Sequence, residues 1–164
     1  MAESNSSSQP QATGESGQQF NLGKIYLKDV SFETPNSPQI FQSGEWKPEV
    51  KVDLNSNARS LAEHTFEVVV SVTVTVKQDG KTAYLCEAAQ AGIFQLSGFD
   101  KPTLNALLGG YCPNILFPFA REAVSDLVAK GGFPQMLLGP VNFEALYQQK
   151  LAQESQQGKE PGVQ

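Results

Sequence analysis

Side chains capable of covalent or acid–base chemistry are few in this sequence, and their spacing forms no recognisable active site. His64 is the only histidine, and the two cysteines, Cys86 and Cys112, do not form a CxxC pair. A catalytic nucleophile needs a base beside it, and a structural zinc ion needs about four Cys or His ligands. We therefore interpret His64 as an ordinary strand-end residue and the cysteines as small packed hydrophobic residues.

The glycine pairs and the acidic residues supply no catalytic pattern either. Neither GxxxxGK[ST] nor GxGxxG occurs, so no phosphate-binding loop is indicated. Gly109-Gly110 and Gly131-Gly132 lie between helical segments, where a turn or a cap explains them. Paired-carboxylate catalysis has no positive support from spacing, because the acidic residues are scattered: Glu33, Glu49, Asp53, Glu63, Glu67 and Glu87. We expect a protein that is not an enzyme and that uses no metal and no cofactor.

The overall charge argues against a nucleic-acid-binding protein. The 164 residues carry a formal net charge of −5 and no basic block, which makes phosphate backbones poor partners. No run approaches the roughly 20 apolar residues that span a bilayer, and the first 19 residues lack the features of a signal peptide. Two cysteines without a disulfide framework fit a reducing compartment. We expect a cytoplasmic protein that does not insert into membranes, although solubility alone also explains the acidity.

Composition divides the chain into one domain and two tails. Residues 1–19 and 153–164 are rich in Ser, Gln, Gly and Glu and contain few large apolar side chains. Such segments cannot bury enough surface to offset the entropy lost on ordering. We therefore predict a folded domain over 20–152 between two disordered tails.

Four strands are predicted before any long helix. Runs of period-two alternation cover 20–32, 49–54, 66–77 and 82–96, and the segment 34–48 between the first two is a long, proline-containing loop. Helical patterns occupy the C-terminal third. Strands followed by helices predict an α+β fold with an antiparallel sheet and two main helices on one face.

The turn after the third strand decides which face of the fourth is buried. Asp79-Gly80 predicts a hairpin turn, because glycine accepts a positive φ at low cost. A strict two-residue loop places Glu87 opposite Val72 on the apolar face. A three-residue loop with a bulge instead places Tyr84, Cys86 and Ala88 on that face. Because a buried unpaired carboxylate is costly, the bulged turn is preferred.

The helical region is punctuated by glycine and proline. A short turn from Asp100 is predicted to end at Gly109-Gly110, and Pro113 opens a longer helix that Lys130-Gly131 ends. Asn142 is a predicted cap for the last helix. The apolar stripe of the longer helix is predicted to be Ile115, Leu116, Phe119, Ala120, Ala123, Leu127 and Val128.

Two irregular segments carry more apolar side chains than loops usually do. Phe41 and Trp46 lie in the loop 34–48, and Phe133, Met136, Leu137 and Leu138 lie in the segment 131–140. Either these loops fold down to cover the sheet, or they form an exposed apolar groove that binds other polypeptides. Aromatic and Met side chains suit promiscuous binding because they repack around varied partners.

Several motifs in series resemble the SecB family of bacterial export chaperones from about residue 20 to 152. The chain carries Ile25-Tyr26-Leu27-Lys28-Asp29-Val30-Ser31-Phe32-Glu33, then Trp46-Lys47-Pro48-Glu49-Val50-Lys51, then Tyr111-Cys112-Pro113-Asn114-Ile115-Leu116-Phe117-Pro118. Gly132-Phe133-Pro134-Gln135 and Pro140-Val141-Asn142-Phe143 complete the similarity. The resemblance implies a homotetramer, a dimer of dimers in which each protomer supplies a four-stranded antiparallel sheet and the long helices pack between dimers.

The resemblance also implies a function and its surfaces. It implies an ATP-independent holdase that binds unfolded secretory precursor proteins and delivers them to the translocation ATPase SecA. The family's SecA contacts correspond here to Asp29, Glu33, Leu85 and Glu87. The implied client groove is Phe41, Trp46, Val50, Val52, Leu54, Phe133 and Leu137. Cys86, Ala88 and Gln90 alternate with the SecA-contact residues and are expected to face the oligomer interior.

Two alternatives stay open at this stage. One is a SecB-like chaperone dedicated to a toxin–antitoxin system, against which the intact acidic pattern argues. The other is a non-chaperone assembly protein with a single fixed partner. The hairpin turn Gln78-Asp79-Gly80-Lys81 and the longer N-terminal tail depart from the family pattern, and neither is expected to touch the proposed sites.

Overall fold

The computed structural model describes residues 17–158 of the chain. Its strands are β1 (Gln19–Glu33), β2 (Glu49–Ala62), β3 (Thr65–Gln78) and β4 (Lys81–Ser97). Its helices are α1 (Lys101–Ala106), α2 (Cys112–Lys130) and α3 (Phe143–Gln157), with a 3-10 turn at Gln39–Gln42 and a π-helical turn at Leu107–Tyr111.

All four strands form one antiparallel sheet in the order β1-β4-β3-β2. The loop 34–48 therefore carries the chain from one edge of the sheet to the other, and β1 and β2 are the two edge strands. This confirms the predicted α+β fold with a four-stranded antiparallel sheet, a long crossover loop and its main helices.

The main core lies between the central strands and α2. Val68, Val70, Val72, Val74 and Val76 alternate along β3 and are at most 1% exposed. Leu116, Ala120, Val124 and Val128 of α2 are fully buried with them in the same apolar cluster. Burying one valine side chain contributes about 1.5 kcal/mol or more, so this row is the largest regular source of stability in the domain.

The β3–β4 hairpin buries the predicted face but by a different turn. Asp79 and Gly80 both have positive φ, and Gln78 pairs with Lys81, so the loop has two residues and not three. The extra residue is Ala83, because Lys77 pairs with Thr82 whereas Val76 pairs with Tyr84. This bulge inside β4 returns Tyr84, Cys86 and Ala88 to the apolar face, as the predicted burial requires.

Gly109 and Gly110 do not end a helix, which corrects the predicted break. They lie in the π-helical turn that joins α1 to α2. A Cβ on Gly109 would overlap the Tyr147 ring, and one on Gly110 would lie 2.9 Å from Cγ of Glu144. The two glycines are therefore needed for the close approach of α3. Asn142 caps α3 as predicted, accepting a hydrogen bond from the Ala145 amide at 3.1 Å.

The buried stripe of α2 is rotated from the predicted one. Leu116, Ala120 and Val128 are buried as expected, together with Phe117 and Val124. Phe119 is 44% exposed, and the other predicted stripe residues are only half-buried: Ile115, Ala123 and Leu127. This helix consequently has a second apolar row that its own sheet does not cover.

Several predicted boundaries are too short. β2 continues eight residues beyond the predicted end at 54, to Ala62, and α3 continues past 152 to Gln157. The predicted C-terminal tail therefore begins within a helix, and strand β1 begins at Gln19. The remainder of the two predicted disordered tails, 1–16 and 159–164, lies outside the described residues.

The two cysteines are predicted to be unreactive in the native protein. Burial raises the pKa of the Cys86 thiol to about 11, with a further contribution from Glu87, and burial raises that of Cys112 to about 12. The thiolate is the reactive species, so little of it exists at pH 8. We expect a thiol reagent such as Ellman's reagent to titrate two groups in denaturant and neither group rapidly in buffer. Rapid native labelling of either cysteine contradicts this packing.

Candidate functional site

The four predicted SecA-contact residues lie together on the sheet face opposite the helices. Glu33 is paired with Leu85, and Glu87 lies opposite Ser31, whose hydroxyl donates to Glu87 Oε2 at 3.4 Å. Asp29 lies opposite Ala89, two positions further along β4. The three carboxylates are exposed and Leu85 is half-buried. We call Asp29, Glu33 and Glu87 the acidic face.

A buried carboxylate lies beside the acidic face and connects both edges of the sheet. Glu67 on β3 is 4% exposed. Its Oε1 accepts hydrogen bonds from Lys28 Nζ on β1 and from Arg59 Nε on β2, both at 2.8 Å. Its Oε2 accepts a hydrogen bond from the Tyr26 hydroxyl on β1. These four residues come from β1, β2 and β3, and their network spans the width of the sheet.

This network holds Glu67 ionised. The hydrogen bonds from Lys28 and Tyr26, followed by that from Arg59, lower the pKa of Glu67 to about 2, although burial opposes the shift. The same Glu67 contact raises the pKa of Tyr26. Glu67 is the salt-bridge partner of both Lys28 and Arg59, so its single negative charge offsets one of their two positive charges. Sequence spacing missed this role, since the three donors are separated from Glu67 by up to 41 residues.

On the helix side, three predicted groove residues form an aromatic cluster. The Phe133 ring centroid lies 5.0 Å from that of Phe41 and 5.7 Å from that of Trp46. Tyr84 and Phe32, which were not predicted to belong to the groove, contact the same ring at 4.8 and 6.4 Å. Phe133 is buried while Phe41 is 51% exposed, so the cluster has a fixed base and an open side.

Three further predicted groove residues form a row along the edge strand β2. Val50, Val52 and Leu54 pair with Val76, Val74 and Val72, which places them on the helix side of the sheet. Val50 and Val52 are 48% and 40% exposed. In the described part of the chain β2 pairs only with β3, so its outer edge has free backbone donors and acceptors. Leu137, the last predicted groove residue, is 73% exposed in the loop before α3.

Leu54 also lines a groove between β2 and the C-terminal helix α3. The cavity has a volume of about 730 Å³. Its apolar lining is Leu54, Ala58, Leu108, Phe143, Leu146, Tyr147 and Leu151. Leu108 lies in the π-helical turn, which was not predicted from the sequence.

The three predicted oligomer residues are buried within the protomer. Cys86 and Ala88 are at most 1% exposed and Gln90 is 5% exposed. They lie on the helix side of β4, where Cys86 and Ala88 belong to the core that α2 covers. They therefore have almost no surface left in the protomer, and their place towards the oligomer interior stays a prediction. Their influence on assembly would have to act through the position of α2.

Over residues 17–158, no three of the His, Cys, Asp and Glu side chains come together in a way that could hold a metal ion. In the same part of the chain, every helix is too short or too polar to cross a membrane. The sites described above are therefore an acidic surface on one side of the sheet and an apolar surface on the other.

Replacing Glu67 with glutamine tests the network. The lowered pKa means that Glu67 stabilises the fold above about pH 4.5, its unfolded value, and that this stability is lost as the pH falls toward 2. We expect Glu67→Gln to lower the free energy of unfolding at pH 7 by about 2 kcal/mol and to flatten the acid limb of the stability curve, measured by urea denaturation. Glu63→Gln, in the exposed β2–β3 turn, is the matched control. Equal losses in both variants contradict the network.

The family comparison covers nearly the whole chain. Residues 13–154 match the family model described as preprotein translocase subunit SecB. The protein-export protein SecB of Alkalilimnicola ehrlichii is 56% identical, with 92% of this chain and 84% of that protein aligned. The SecB proteins of Nitrosococcus oceani and Methylococcus capsulatus are 58% and 59% identical, over 90% and 86% of this chain and 92% and 90% of their own lengths.

A solved structure agrees with the fold. A SecB-like chaperone of Mycobacterium tuberculosis, in complex with a ChAD peptide from an antitoxin, superposes with a TM-score of 0.62. It is 16% identical, and the alignment covers 75% of this chain and 91% of that one. The family match and the relatives at 56–59% identity together show that this chain belongs to the SecB family of protein-export proteins.

Proposed function

We propose that this protein is an ATP-independent chaperone that binds non-native precursor proteins, keeps them competent for translocation and delivers them to SecA. The chaperone role follows from family membership, since the relatives at 56–59% identity are named protein-export proteins. The observation that carries the client-binding part is the exposed apolar row of β2 beside the aromatic cluster and the 730 Å³ groove. No phosphate-binding motif occurs in the sequence, which supports action without nucleotide.

The geometry suits extended, unfolded chains. The outer edge of β2 can pair with the main chain of a client, and the apolar row of Val50, Val52 and Leu54 meets alternate client side chains. Main-chain pairing does not depend on sequence, so many clients are accepted. Folded proteins expose neither free backbone nor enough apolar surface to compete. Selection thus rests on how long a precursor stays unfolded.

The acidic face is proposed to dock a basic segment of SecA. Asp29, Glu33 and Glu87 are exposed on the same surface of the sheet, and Lys28 and Arg59 on that surface are both held by Glu67. Charge complementarity of this kind raises association rates and weakens with added salt. Clients and SecA then occupy opposite sides of the sheet.

Assembly into a homotetramer is proposed to use apolar surface that the protomer leaves uncovered. Ile115, Phe119, Ala123 and Leu127 form a second row along α2. On the same side of the sheet, Leu27 and Val30 of edge strand β1 are 47% and 39% exposed. Packing of helices between dimers would bury these rows. Each row contains neighbouring apolar residues, whereas the apolar residues on a monomer's surface are usually scattered singly.

The toxin–antitoxin alternative has weaker support. The antitoxin-peptide complex belongs to a protein only 16% identical to this chain, whereas the relatives at 56–59% identity are named for export. The fold permits either role, so identity and the retained acidic face favour the general export chaperone.

Holdase activity is tested with an unrelated, slowly folding protein diluted from denaturant without nucleotide. We expect a stoichiometric amount of this protein to stall refolding, and a competing unfolded chain to release it, because the binding surface is apolar and not sequence-specific. Native recovery over time is the measurement. Refolding that proceeds unchanged at micromolar excess contradicts general chaperone function and favours a single fixed partner.

Charge reversal separates the two surfaces. Asp29→Lys with Glu33→Lys is expected to weaken SecA binding about tenfold or more at low salt, because two attractive charges become repulsive. Holdase activity should stay unchanged, since the apolar surface lies across the sheet. Glu63→Lys, an exposed reversal in the β2–β3 turn, is the control for net charge. Parallel loss of SecA binding and holdase activity in the double variant contradicts separate sites.

A further inference from the structure

Gln78 is a buried amide at the end of β3, next to the crossover loop. The residue is 3% exposed, and both ends of its side chain are used. Its Oε1 accepts a hydrogen bond from the backbone amide of Lys47 at 3.0 Å, and its Nε2 donates to the backbone carbonyl of Glu45 at 2.9 Å. A single side chain therefore holds two peptide groups of the loop against the sheet.

The two peptide groups flank Trp46. Residues 43–48 belong to no helix or strand, so their backbone has no regular ladder to fix it. Trp46 is half-buried and its ring centroid lies 5.7 Å from that of Phe133. With Glu45 and Lys47 both held by Gln78, the indole is carried on a backbone segment anchored on each side. The same anchoring satisfies a buried polar side chain that would otherwise destabilise the core.

We propose that Gln78 is a positioning residue for client binding: it fixes Trp46 against Phe133 and so preorganises the aromatic cluster. The proposal rests on the proposed chaperone function, because the cluster is the client surface. An anchored aromatic side chain loses little conformational entropy when a client binds, whereas a mobile one must be ordered first. The hairpin turn that contains Gln78 thus belongs to the client site, contrary to the expectation from sequence.

The two hydrogen bonds of Gln78 to Glu45 and Lys47, called the Gln78 clamp, also give the two parts of the client surface different roles. The Lys47 amide is already bonded to Gln78 and cannot donate to a client main chain, and the Glu45 carbonyl already accepts from the same side chain. Around Trp46 the crossover loop therefore offers aromatic contact, whereas the free edge of β2 offers main-chain pairing. Loss of the clamp should lower the affinity for aromatic-rich segments more than that for extended segments without aromatic residues.

The single tryptophan of the chain gives a direct readout. Gln78→Met keeps the length of the side chain but makes neither hydrogen bond, and Gln78→Asn keeps the amide but is one methylene group too short to reach both Lys47 and Glu45. We expect a red shift of Trp46 emission and stronger acrylamide quenching in Gln78→Met, a smaller change in Gln78→Asn, and client binding weakened about tenfold in Gln78→Met. An aromatic-rich unfolded peptide serves as the probe, and SecA affinity should not change.

Gln95→Met is the matched control, because Gln95 is an exposed glutamine on β4 whose side chain accepts only from Asn21 at 3.2 Å. It should change neither emission nor client binding. Unchanged Trp46 emission in the folded Gln78 variants overturns the positioning role, and changed emission with wild-type client affinity overturns the link to clients. If the unmodified protein itself fails to bind the peptide, the proposed function fails and not the clamp alone. Circular dichroism confirms that each variant is folded, and Gln78→Asn supplies the test if Gln78→Met is not folded.

Discussion

The packing of α2 against the valine row of β3 is the interaction on which the rest of the structure depends. It covers mainly the two central strands, so apolar side chains of both edge strands stay exposed, such as Val30 on β1 and Val50 and Val52 on β2. The same packing fixes the register of β4, because the bulge at Ala83 is what brings Tyr84 and Cys86 under the helix. If helices covered the apolar face of all four strands, the sheet would have no exposed apolar surface for other polypeptides.

The sheet also separates two kinds of surface chemistry. Its helix side carries aromatic rings and branched aliphatic side chains, and its other side carries carboxylates and the Glu67 network. Glu67 contributes to both the fold and the electrostatics, since it joins the two edge strands by pairing with Lys28 of β1 and Arg59 of β2. Under the proposed function, an unfolded client and a basic segment of SecA would therefore contact different side chains.

Local patterns predicted the elements well and their long-range contacts poorly. Period-two alternation located all four strands, and the cost of burying Glu87 predicted the buried face of β4 even though the turn was assigned incorrectly. The resemblance to the family directed attention to Asp29 and Glu33, which share one face as alternation along β1 requires. By contrast, the helix break at Gly109-Gly110 was wrong because glycines also permit close packing, and only the position of Tyr147 reveals which role applies. Gln78 and Glu67 were missed for the same reason, since their partners lie up to 33 and 41 residues away.

The free edge of β2 has a consequence for colloidal behaviour. An exposed strand edge is a template on which identical chains can polymerise into a continuous sheet. The face of β2 away from the helices carries polar and charged side chains, including Lys51 and Asp53, whose ammonium nitrogen and carboxylate oxygen lie 3.3 Å apart. Charged side chains on an edge strand hinder edge-to-edge association, because they must be desolvated when a second strand pairs beside them. We therefore expect the charged face of β2 to limit polymerisation of this chain through its own free edge.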